Sequence, residues 1–230
     1  MSLSVMFTSP ALFTNSKLQE KREMKILNLY AGIGGNRRLW GGAHQVTAVE
    51  YDPAIAAVYA DLYPDDELIV GDAHGYLLEN HENFDFIWSS PPCQTHSSFR
   101  YNIGVRFRGT KPKYPDMTLY EEIVFLQHNS KALWVVENVI PYYKPLIEAE
   151  KINRHLYWAN FPIGELPKIK ENLREIQIPG LQELHGIDLT GYKLSNKRQV
   201  LRNCVYPETG EAILNKAIEF ANLPEGENNE

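Results

Sequence analysis

Apolar runs alternate with amphipathic stretches along the chain from residue 25 onward. Six short runs are rich in aliphatic, β-branched and aromatic side chains and have the length of buried strands. They span residues 25–31, 45–51, 68–70, 84–88, 133–136 and 155–158. Helix-like segments separate most of them, and this alternation is typical of a mostly parallel sheet with helices on both faces. The pattern therefore predicts a doubly wound α/β fold.

Capping and periodicity signals predict three of the helices. Asp52 followed by Pro53 supplies an N-cap and a proline at the first helical position. Thr118 and Glu121 match a capping box, and apolar residues recur at helical spacing behind them. The same spacing predicts a last helix over residues 207–221.

The alternation of strand-like and helix-like segments ends after residue 162, where prolines and glycines separate short polar segments. We interpret this part as a small insertion. The leader is polar and aperiodic and the tail is acidic, so we expect both to be disordered. The predicted division is a leader of residues 1–23, a main domain of residues 24–162 and 203–222, an insertion of residues 163–202 and a tail of residues 223–230.

Composition narrows the class of protein. With 43% hydrophobic and 23% charged residues the chain is ordinary for a globular protein, and its net charge of −6 argues against a broad nonspecific hold on nucleic acid. Two cysteines are too few for a disulfide framework or a cysteine zinc site, which favours a reducing compartment. No apolar stretch has the length of a membrane span, and the leader lacks the apolar region of a signal peptide. We expect a cytoplasmic protein that binds neither membrane nor metal.

Glycines and acidic residues follow three strands of the predicted sheet. A glycine turn at residues 32–35 follows the first strand, Glu50 ends the second, and Asp72 follows the third. The turn has the spacing of neither a P-loop nor a dinucleotide fingerprint. However, such folds bind ligands at the carboxyl edge of the sheet, and a carboxylate after the second strand binds ribose hydroxyls. The three strand ends together favour a nucleoside ligand, although each acid alone is equally typical of a helix cap.

Cys93 is the first candidate for chemistry. It follows the strand at residues 84–88 and two prolines that cannot continue a ladder, which places the thiol at the ligand-binding edge. A cysteine taken alone is more often a packing residue. Glu137 ends the fifth strand at the same edge, where it could donate a proton to a ring nitrogen while a thiolate attacks carbon. The alternative role of Glu137 is to cap the following turn.

A basic segment follows Cys93. It contains five cationic side chains and no acidic one, and they are Arg100, Arg106, Arg108, Lys111 and Lys113. Such a run is usually a solvated loop. Beside a candidate nucleophile, it is well placed to hold phosphates.

Three segments resemble the motifs of one enzyme family. They are NLYAGIGG at residues 28–35, SPPCQ at 90–94 and VENV at 136–139, and they are similar, in this order, to motifs I, IV and VI of the cytosine-C5 DNA methyltransferases. The resemblance extends from about residue 25 to 221, and the residues around the motifs are similar to those of the enzymes carried by bacteriophages. It implies a Rossmann-like methyltransferase domain and a target-recognition role for the insertion.

The resemblance implies S-adenosylmethionine (AdoMet) as the methyl donor and S-adenosylhomocysteine as its product. The implied cofactor contacts are Tyr30 and Tyr51 at the adenine ring, Asp72 at the adenine amino group, Glu50 at the ribose, Gly32, Gly34 and Gly35 at the methionine part, and Asn203 at the equivalent of motif X. Cys204 would then be a packing residue.

The resemblance also implies a mechanism. Cys93 as a thiolate adds to C6 of cytosine while Glu137 supports protonation at N3; C5 then takes the methyl group, loses its proton, and the thiolate leaves. A stacked base cannot be reached in this way, so the cytosine must be flipped out of the duplex. The usual paired arginines of motif VIII are absent, so contacts to the base are assigned to Arg154 or His155. The residues expected against double-stranded DNA are Gln94, Ser97 and the five cations of the basic segment, whose loop would close over the base.

Two other functions remain open. A relative of this family methylates transfer RNA, so the substrate could be RNA. The chain could also be a catalytically silent AdoMet- or DNA-binding partner of a split enzyme, although Cys93, Glu137 and Asn203 all being present argues against that. We expect a monomeric restriction-modification type enzyme in a bacterial or phage-infected cell, with a possible partner for target recognition.

Overall fold

The computed structural model describes residues 23–111, 113–168 and 175–224. Within them one sheet has seven strands in the order β3-β2-β1-β4-β5-β7-β6. The strands are β1 Lys25–Leu29, β2 Gln45–Glu50, β3 Glu67–Val70, β4 Phe86–Ser89, β5 Leu133–Val139, β6 Glu150–Ile152 and β7 His155–Ala159. Residues 1–22 of the predicted leader and 225–230 of the predicted tail lie outside the described residues.

The direction of the strands confirms the predicted sheet. Pairing is parallel from β3 through β2, β1 and β4 to β5, whereas β7 runs antiparallel to both β5 and β6. All six predicted strands are present. The seventh, β6, was missed because it has only three residues, Glu150–Ile152, two of them exposed and charged.

The first four helices lie between strands, as the alternation predicted, and the last three follow the final strand. They are α1 Pro53–Leu62, α2 Ala73–Asn80, α3 Ser98–Arg100, α4 Thr118–Asn129, α5 Ile178–His185, α6 Lys197–Asn203 and α7 Pro207–Ala221. Short 3-10 turns cover Asn36–Leu39 and His81–Asn83, and a π-helix covers Tyr101–Phe107.

Of the two helix N-caps predicted from the sequence, the structure confirms one. Asp52 caps α1 as predicted, because its Oδ1 accepts the Ala54 amide hydrogen at 2.8 Å. The prediction of a capping box formed by Thr118 and Glu121 is wrong, because this box does not form. The N-cap of α4 is Met117, whose side chain makes no cap, and Asp116 Oδ1 accepts the Thr118 amide hydrogen at 3.1 Å. Asp116, two residues before Thr118, therefore accepts the amide hydrogen that Glu121 would have accepted in a capping box.

The core confirms helices on both faces of the sheet. Ile26 and Leu27 are neighbours in β1 and point to opposite faces, so they enter different clusters of buried residues. The Ile26 cluster includes Ile213 of α7, and the Leu27 cluster includes Ile123 of α4. Burial of aliphatic and aromatic side chains against both faces is the main force holding these layers together.

The later part of the predicted insertion lies on the main domain. Leu181, Ile187 and Leu201 form a buried cluster with Ile33 of the glycine turn and Val58 of α1. The Arg38 side chain reaches the same segment and donates its Nε hydrogen to the Gly186 carbonyl at 3.1 Å. Residues 176–202 therefore form a wall beside the glycine turn, while the division into domains stays a prediction.

None of the helices in the described part of the chain is both long enough and apolar enough to cross a membrane.

Candidate active site

One cavity of about 1010 Å³ lies at the carboxyl ends of the parallel strands. Its wall contains Tyr30 and Gly32 after β1, Glu50 of β2, Cys93 after β4 and Glu137 of β5. The sequence predicted that these strand ends share one edge, and the structure brings them into one cavity. The cavity is large enough for a nucleoside-sized ligand beside a second, planar one.

Glu50 organises the turn after β1. Its Oε2 accepts the Gly32 amide hydrogen at 2.9 Å, and its Oε1 accepts the Asp52 amide hydrogen at 2.9 Å. Gly32 has φ +58°, and a Cβ at this position would meet no atom within 4 Å, so a ligand can approach the backbone closely. A carboxylate has about four acceptor sites. These two amides therefore leave about two of its acceptor sites for a ligand.

The other two glycines of the turn serve packing. A Cβ on Gly35 would lie 2.2 Å from Cys204 Sγ, although Gly35 also lines the cavity. Gly34 is not part of the lining, and its carbonyl accepts the Tyr63 hydroxyl hydrogen at 2.7 Å. The expectation that Gly34 faces the cofactor is therefore corrected, because a tyrosine of the main domain covers it. Burial raises the pKa of the Cys204 thiol to about 12, as is typical of a packing cysteine.

The remaining predicted cofactor residues all line the cavity. Tyr51 lies on the rim with 77% of its side chain exposed. Asp72 is the N-cap of α2, where its carboxylate accepts the amide hydrogens of His74 and Gly75 at 3.3 and 3.2 Å. Both roles considered for Asp72 are thus compatible, since it caps the helix and also contacts the cavity. Asn203 reaches the cavity from the end of α6.

Cys93 is half-buried on a tight turn after β4. Its carbonyl accepts the amide hydrogens of His96 and Ser97 at 3.1 and 3.0 Å, which fixes the turn. Asn138, next to Glu137, donates a side-chain hydrogen to the Pro91 carbonyl at 3.0 Å and so joins the β4 and β5 ends. Burial, and then the negative charge of Glu137, raise the pKa of the Cys93 thiol to about 11. The thiol is therefore protonated at neutral pH before a substrate binds.

Glu137 is buried and paired. It is 9% exposed, and its Oε1 lies 3.5 Å from His155 Nε2 of β7. Tyr157 is its register partner across the β5–β7 ladder. Of the two candidates for the base-contacting role, His155 therefore contacts Glu137, while Arg154 lines the cavity from the turn between β6 and β7.

The basic segment lies outside the cavity. In the described structure its five cations are exposed and do not line the wall, whereas Gln94 does. Ser97 also lies outside, because its hydroxyl caps α3 by accepting the Arg100 amide hydrogen at 3.3 Å. Tyr101, at the start of the π-helix, stacks on Tyr142 with ring centres 4.1 Å apart and planes inclined by 6°. This stack ties the segment to the loop that follows Glu137.

Sequence reasoning missed Glu122 as part of the site. It is fully buried in α4, behind Tyr30. The signal was present, since Glu122 falls between Leu119, Ile123 and Leu126 on the apolar face of a helix. An acid in such a position needs a partner in the core. Among the described residues, no group of three or more His, Cys, Asp or Glu side chains is arranged to hold a metal.

Comparison with solved structures gives the class of the fold. The methyltransferase EhMeth of Entamoeba histolytica has a TM-score of 0.52, with 10% identity over 89% of this chain and 100% of that one. A putative methyltransferase, yhhF, of Escherichia coli has a TM-score of 0.39 and 18% identity, and covers 58% of this chain and 72% of that one. A putative DNA modification methyltransferase encoded within an E. coli prophage has a TM-score of 0.33 and 20% identity, and covers 53% of this chain and 33% of that one.

The fold is Rossmann-like and is shared with the methyltransferase EhMeth. The family model of C-5 cytosine-specific DNA methylases matches residues 24–145, more than half of the chain. The chain belongs to this family. AdoMet is its methyl donor. No curated protein matches the sequence.

Proposed function

We propose that this chain is a DNA cytosine-C5 methyltransferase in which Cys93 forms a covalent bond to C6 of the target base. The observation that carries the proposal is that Cys93 and Glu137 open into the same cavity as Gly32 and Glu50. A nucleophile, an acid and a nucleoside-binding edge thus share one space.

Cys93 and Glu137 suit the bond-forming step of the proposed reaction, and water accepts the protons that the thiol and C5 release. The Cys93 sulfur adds to C6 while Glu137 supports protonation at N3, which makes C5 nucleophilic toward the methyl group of AdoMet. Loss of the C5 proton then returns the electrons of the C5–H bond to the ring, and the thiolate leaves. Because the pKa of Cys93 is raised to about 11, the thiol has to give up its proton as the sulfur adds to C6. His155 Nε2 lies 3.5 Å from Glu137 Oε1 and can hold the carboxyl in place during the proton transfer.

The cofactor is proposed to occupy the part of the cavity nearest β1 and β2. Tyr30 and Tyr51 would contact the adenine ring, Asp72 its amino group and Glu50 the ribose. Gly32, Gly35 and Asn203 would hold the methionine part. The unused acceptor sites of Glu50 and the open space beside Gly32 support this placement.

The proposed substrate is double-stranded DNA with the cytosine flipped into the cavity. Gln94 lies at the mouth beside Cys93, and Arg154 lines the opposite wall. The basic segment lies outside the cavity, where it could hold the phosphates that flank the flipped base. Its attachment through the Tyr101–Tyr142 stack supports a loop that closes together with the Glu137 side of the site.

We propose that the enzyme recognises a short DNA sequence. Specific DNA interfaces bury about 1,000–2,500 Å² of protein, and each base pair read contributes about 1–3 kcal/mol. Residues 176–202, most of the proposed recognition region, already pack on the glycine turn and α1. We therefore expect a target of about two to four base pairs, or a partner that reads more. A uniquely methylated site of about six or more base pairs in bisulfite maps would contradict this.

Trapping of the covalent intermediate tests the function. DNA that contains 5-fluorocytosine cannot lose its C5 substituent, so the wild-type enzyme with AdoMet should form an adduct that survives denaturing electrophoresis. Cys93→Ala should form no adduct and no 5-methylcytosine while still binding AdoMet. Cys204→Ala is the matched control, because that cysteine packs behind Gly35 and should leave the adduct intact.

The same assay separates the rival functions. An active Cys93→Ala enzyme would refute the covalent mechanism. Adduct formation with fluorinated RNA but not DNA would identify an RNA methyltransferase. If neither substrate is trapped although AdoMet binds, the chain is a silent partner and not the enzyme.

A further inference from the structure

Glu122 is a buried carboxyl group that the proposed reaction does not use. It lies in α4 with a relative exposure of 0%. Its Oε1 accepts the Tyr30 hydroxyl hydrogen at 2.5 Å, and its Oε2 accepts the Ser89 hydroxyl hydrogen at 2.6 Å. His74 Nδ1 lies 3.3 Å from the same Oε1. One carboxyl group thus joins the end of β4, the residue after β1 and the first turn of α2.

Among the described residues, the one side chain that could pair with Glu122 as a cation is His74, at 3.3 Å. In the described structure the recorded partners of Glu122 are two hydroxyls and one imidazole, and none is a lysine or an arginine. Burial raises the pKa of the carboxyl, and the hydrogen bonds from Ser89 and Tyr30 oppose that rise. Removal of a carboxylate from water is costly, and an apolar residue of the same size usually stabilises a core better. A role other than stability is therefore the simpler account of an acid in this position.

Tyr30 supplies the second observation. Its backbone has φ +54°, a left-handed conformation that side chains with a Cβ rarely adopt. Tyr30 lines the cavity on the side proposed for the cofactor, and its hydroxyl is bonded to the buried Glu122. The strained backbone places the ring in the wall, and the bond to Glu122 prevents the ring from rotating out of it.

We propose that Glu122 is a positioning residue for the cofactor, which acts by fixing the ring of Tyr30 in the wall of the cavity. The inference rests on the proposed placement of the adenine against Tyr30. Glu122 contacts neither the cofactor nor the target base. It preorganises the wall, so the entropy of ordering Tyr30 is lost during folding and does not weaken binding.

Two conservative substitutions test the role. Tyr30→Phe keeps the ring and removes only the hydroxyl, and Glu122→Gln keeps the shape but leaves one of the two hydroxyls facing an amide donor. Each should raise the dissociation constant for AdoMet by up to about tenfold, which corresponds to the cost of ordering one side chain on binding. In steady state the KM for AdoMet should rise by the same factor, while kcat at saturating AdoMet should change by less than about twofold, because the interaction is equal in ground and transition states.

The double variant shows whether the two residues act through one bond. If they do, Glu122→Gln should weaken AdoMet binding by no more than about twofold in the Tyr30→Phe background, although it costs up to about tenfold alone. Additive effects would overturn the proposal, since Glu122 would then act through Ser89 or His74. If Glu122→Gln fails to fold, Tyr30→Phe decides alone, and unchanged affinity in that variant would overturn the proposal.

Tyr59→Phe is the matched control. Tyr59 is also fully buried and donates its hydroxyl hydrogen to an acid, Asp66, at 2.8 Å, but it does not line the cavity. The Tyr59→Phe variant should be less stable but should bind AdoMet as tightly as the wild type does. If Tyr59→Phe weakens AdoMet binding as much as Tyr30→Phe or Glu122→Gln does, Glu122 has only a structural role. Calorimetry of AdoMet alone needs no DNA, so failure to methylate DNA counts against the proposed function and not against this inference. Failure of the wild type to bind AdoMet would overturn the inference itself.

Discussion

Glu137→Gln should change the Cys93 thiol and the methylation reaction in opposite directions. The negative charge of Glu137 disfavours the thiolate, so its removal must lower the pKa of Cys93. A lower pKa gives more thiolate at a fixed pH and faster reaction with a simple alkylating reagent. Methylation should nevertheless collapse, because the amide cannot deliver the proton that the ring nitrogen needs.

The size of the expected change in the pKa of Cys93 can be worked out from the causes that raise this pKa. The pKa of Cys93 rises from 9.0 to about 11, and burial contributes more to that rise than Glu137 does. A backbone hydrogen bond acts in the opposite direction, so loss of the Glu137 charge should lower the pKa of Cys93 by roughly one unit. Below pH 9 the thiolate fraction should then increase by up to about tenfold.

The assay is the rate of iodoacetamide labelling of Cys93 as a function of pH, resolved by peptide mass spectrometry. Cys204 is an internal control, because burial raises its pKa to about 12 and should keep it unlabelled in both proteins. Faster labelling with lost methylation confirms the reasoning. Unchanged or slower labelling in Glu137→Gln would show that the carboxyl is already neutral in the free enzyme, or that it does not face the thiol.

Three further predictions address binding and stability. Glu50→Ala should weaken AdoMet binding by roughly ten- to a hundredfold, since a charged acceptor contributes about 1.5–3 kcal/mol; unchanged affinity in calorimetry would remove the nucleoside assignment. Neutralisation of Arg106 and Arg108 should lower the salt slope of DNA binding by about 0.9 per lost phosphate contact in anisotropy titrations, whereas an unchanged slope with altered sequence preference would place them at the bases. Burial lowers the pKa of His185 from 6.5 to about 4, so the unfolded chain binds the proton more tightly and stability should fall by about 3 kcal/mol as the pH drops through that window. His185→Leu should abolish this loss in urea melts at about pH 7 and about pH 4.5; an equal loss in the variant would assign the acid sensitivity elsewhere.

Much of the fold could be predicted because its signals are local. Buried parallel strands read as continuous apolar runs, and β1, β2 and β5 have that composition. The meeting of Glu50, Cys93 and Glu137 in one cavity followed from a topological rule, since parallel strands end at a common edge. The short strand β6 could not be found in this way, because pairing with β7 and not its own composition makes it a strand.

The details of the site depended on contacts that are distant in sequence. From the sequence alone, a glycine at position 34 could serve either to contact a ligand or to allow close packing. The close approach of Tyr63 favours packing. Glu122 is 92 residues from Tyr30, so no local pattern joins them. His155 could be placed on Glu137 only once the antiparallel register of β5 and β7 was known.

The close approach of Cys204 to Gly35 has a consequence for protein synthesis. The wall that carries Asn203 is translated about 170 residues after the turn that it closes. At about 5–20 residues per second, this gap corresponds to roughly ten to thirty seconds on the ribosome. During that interval the nascent chain already displays the Cys93 strand but has no complete pocket for AdoMet. We therefore expect AdoMet to bind only after the last helices have emerged from the ribosome.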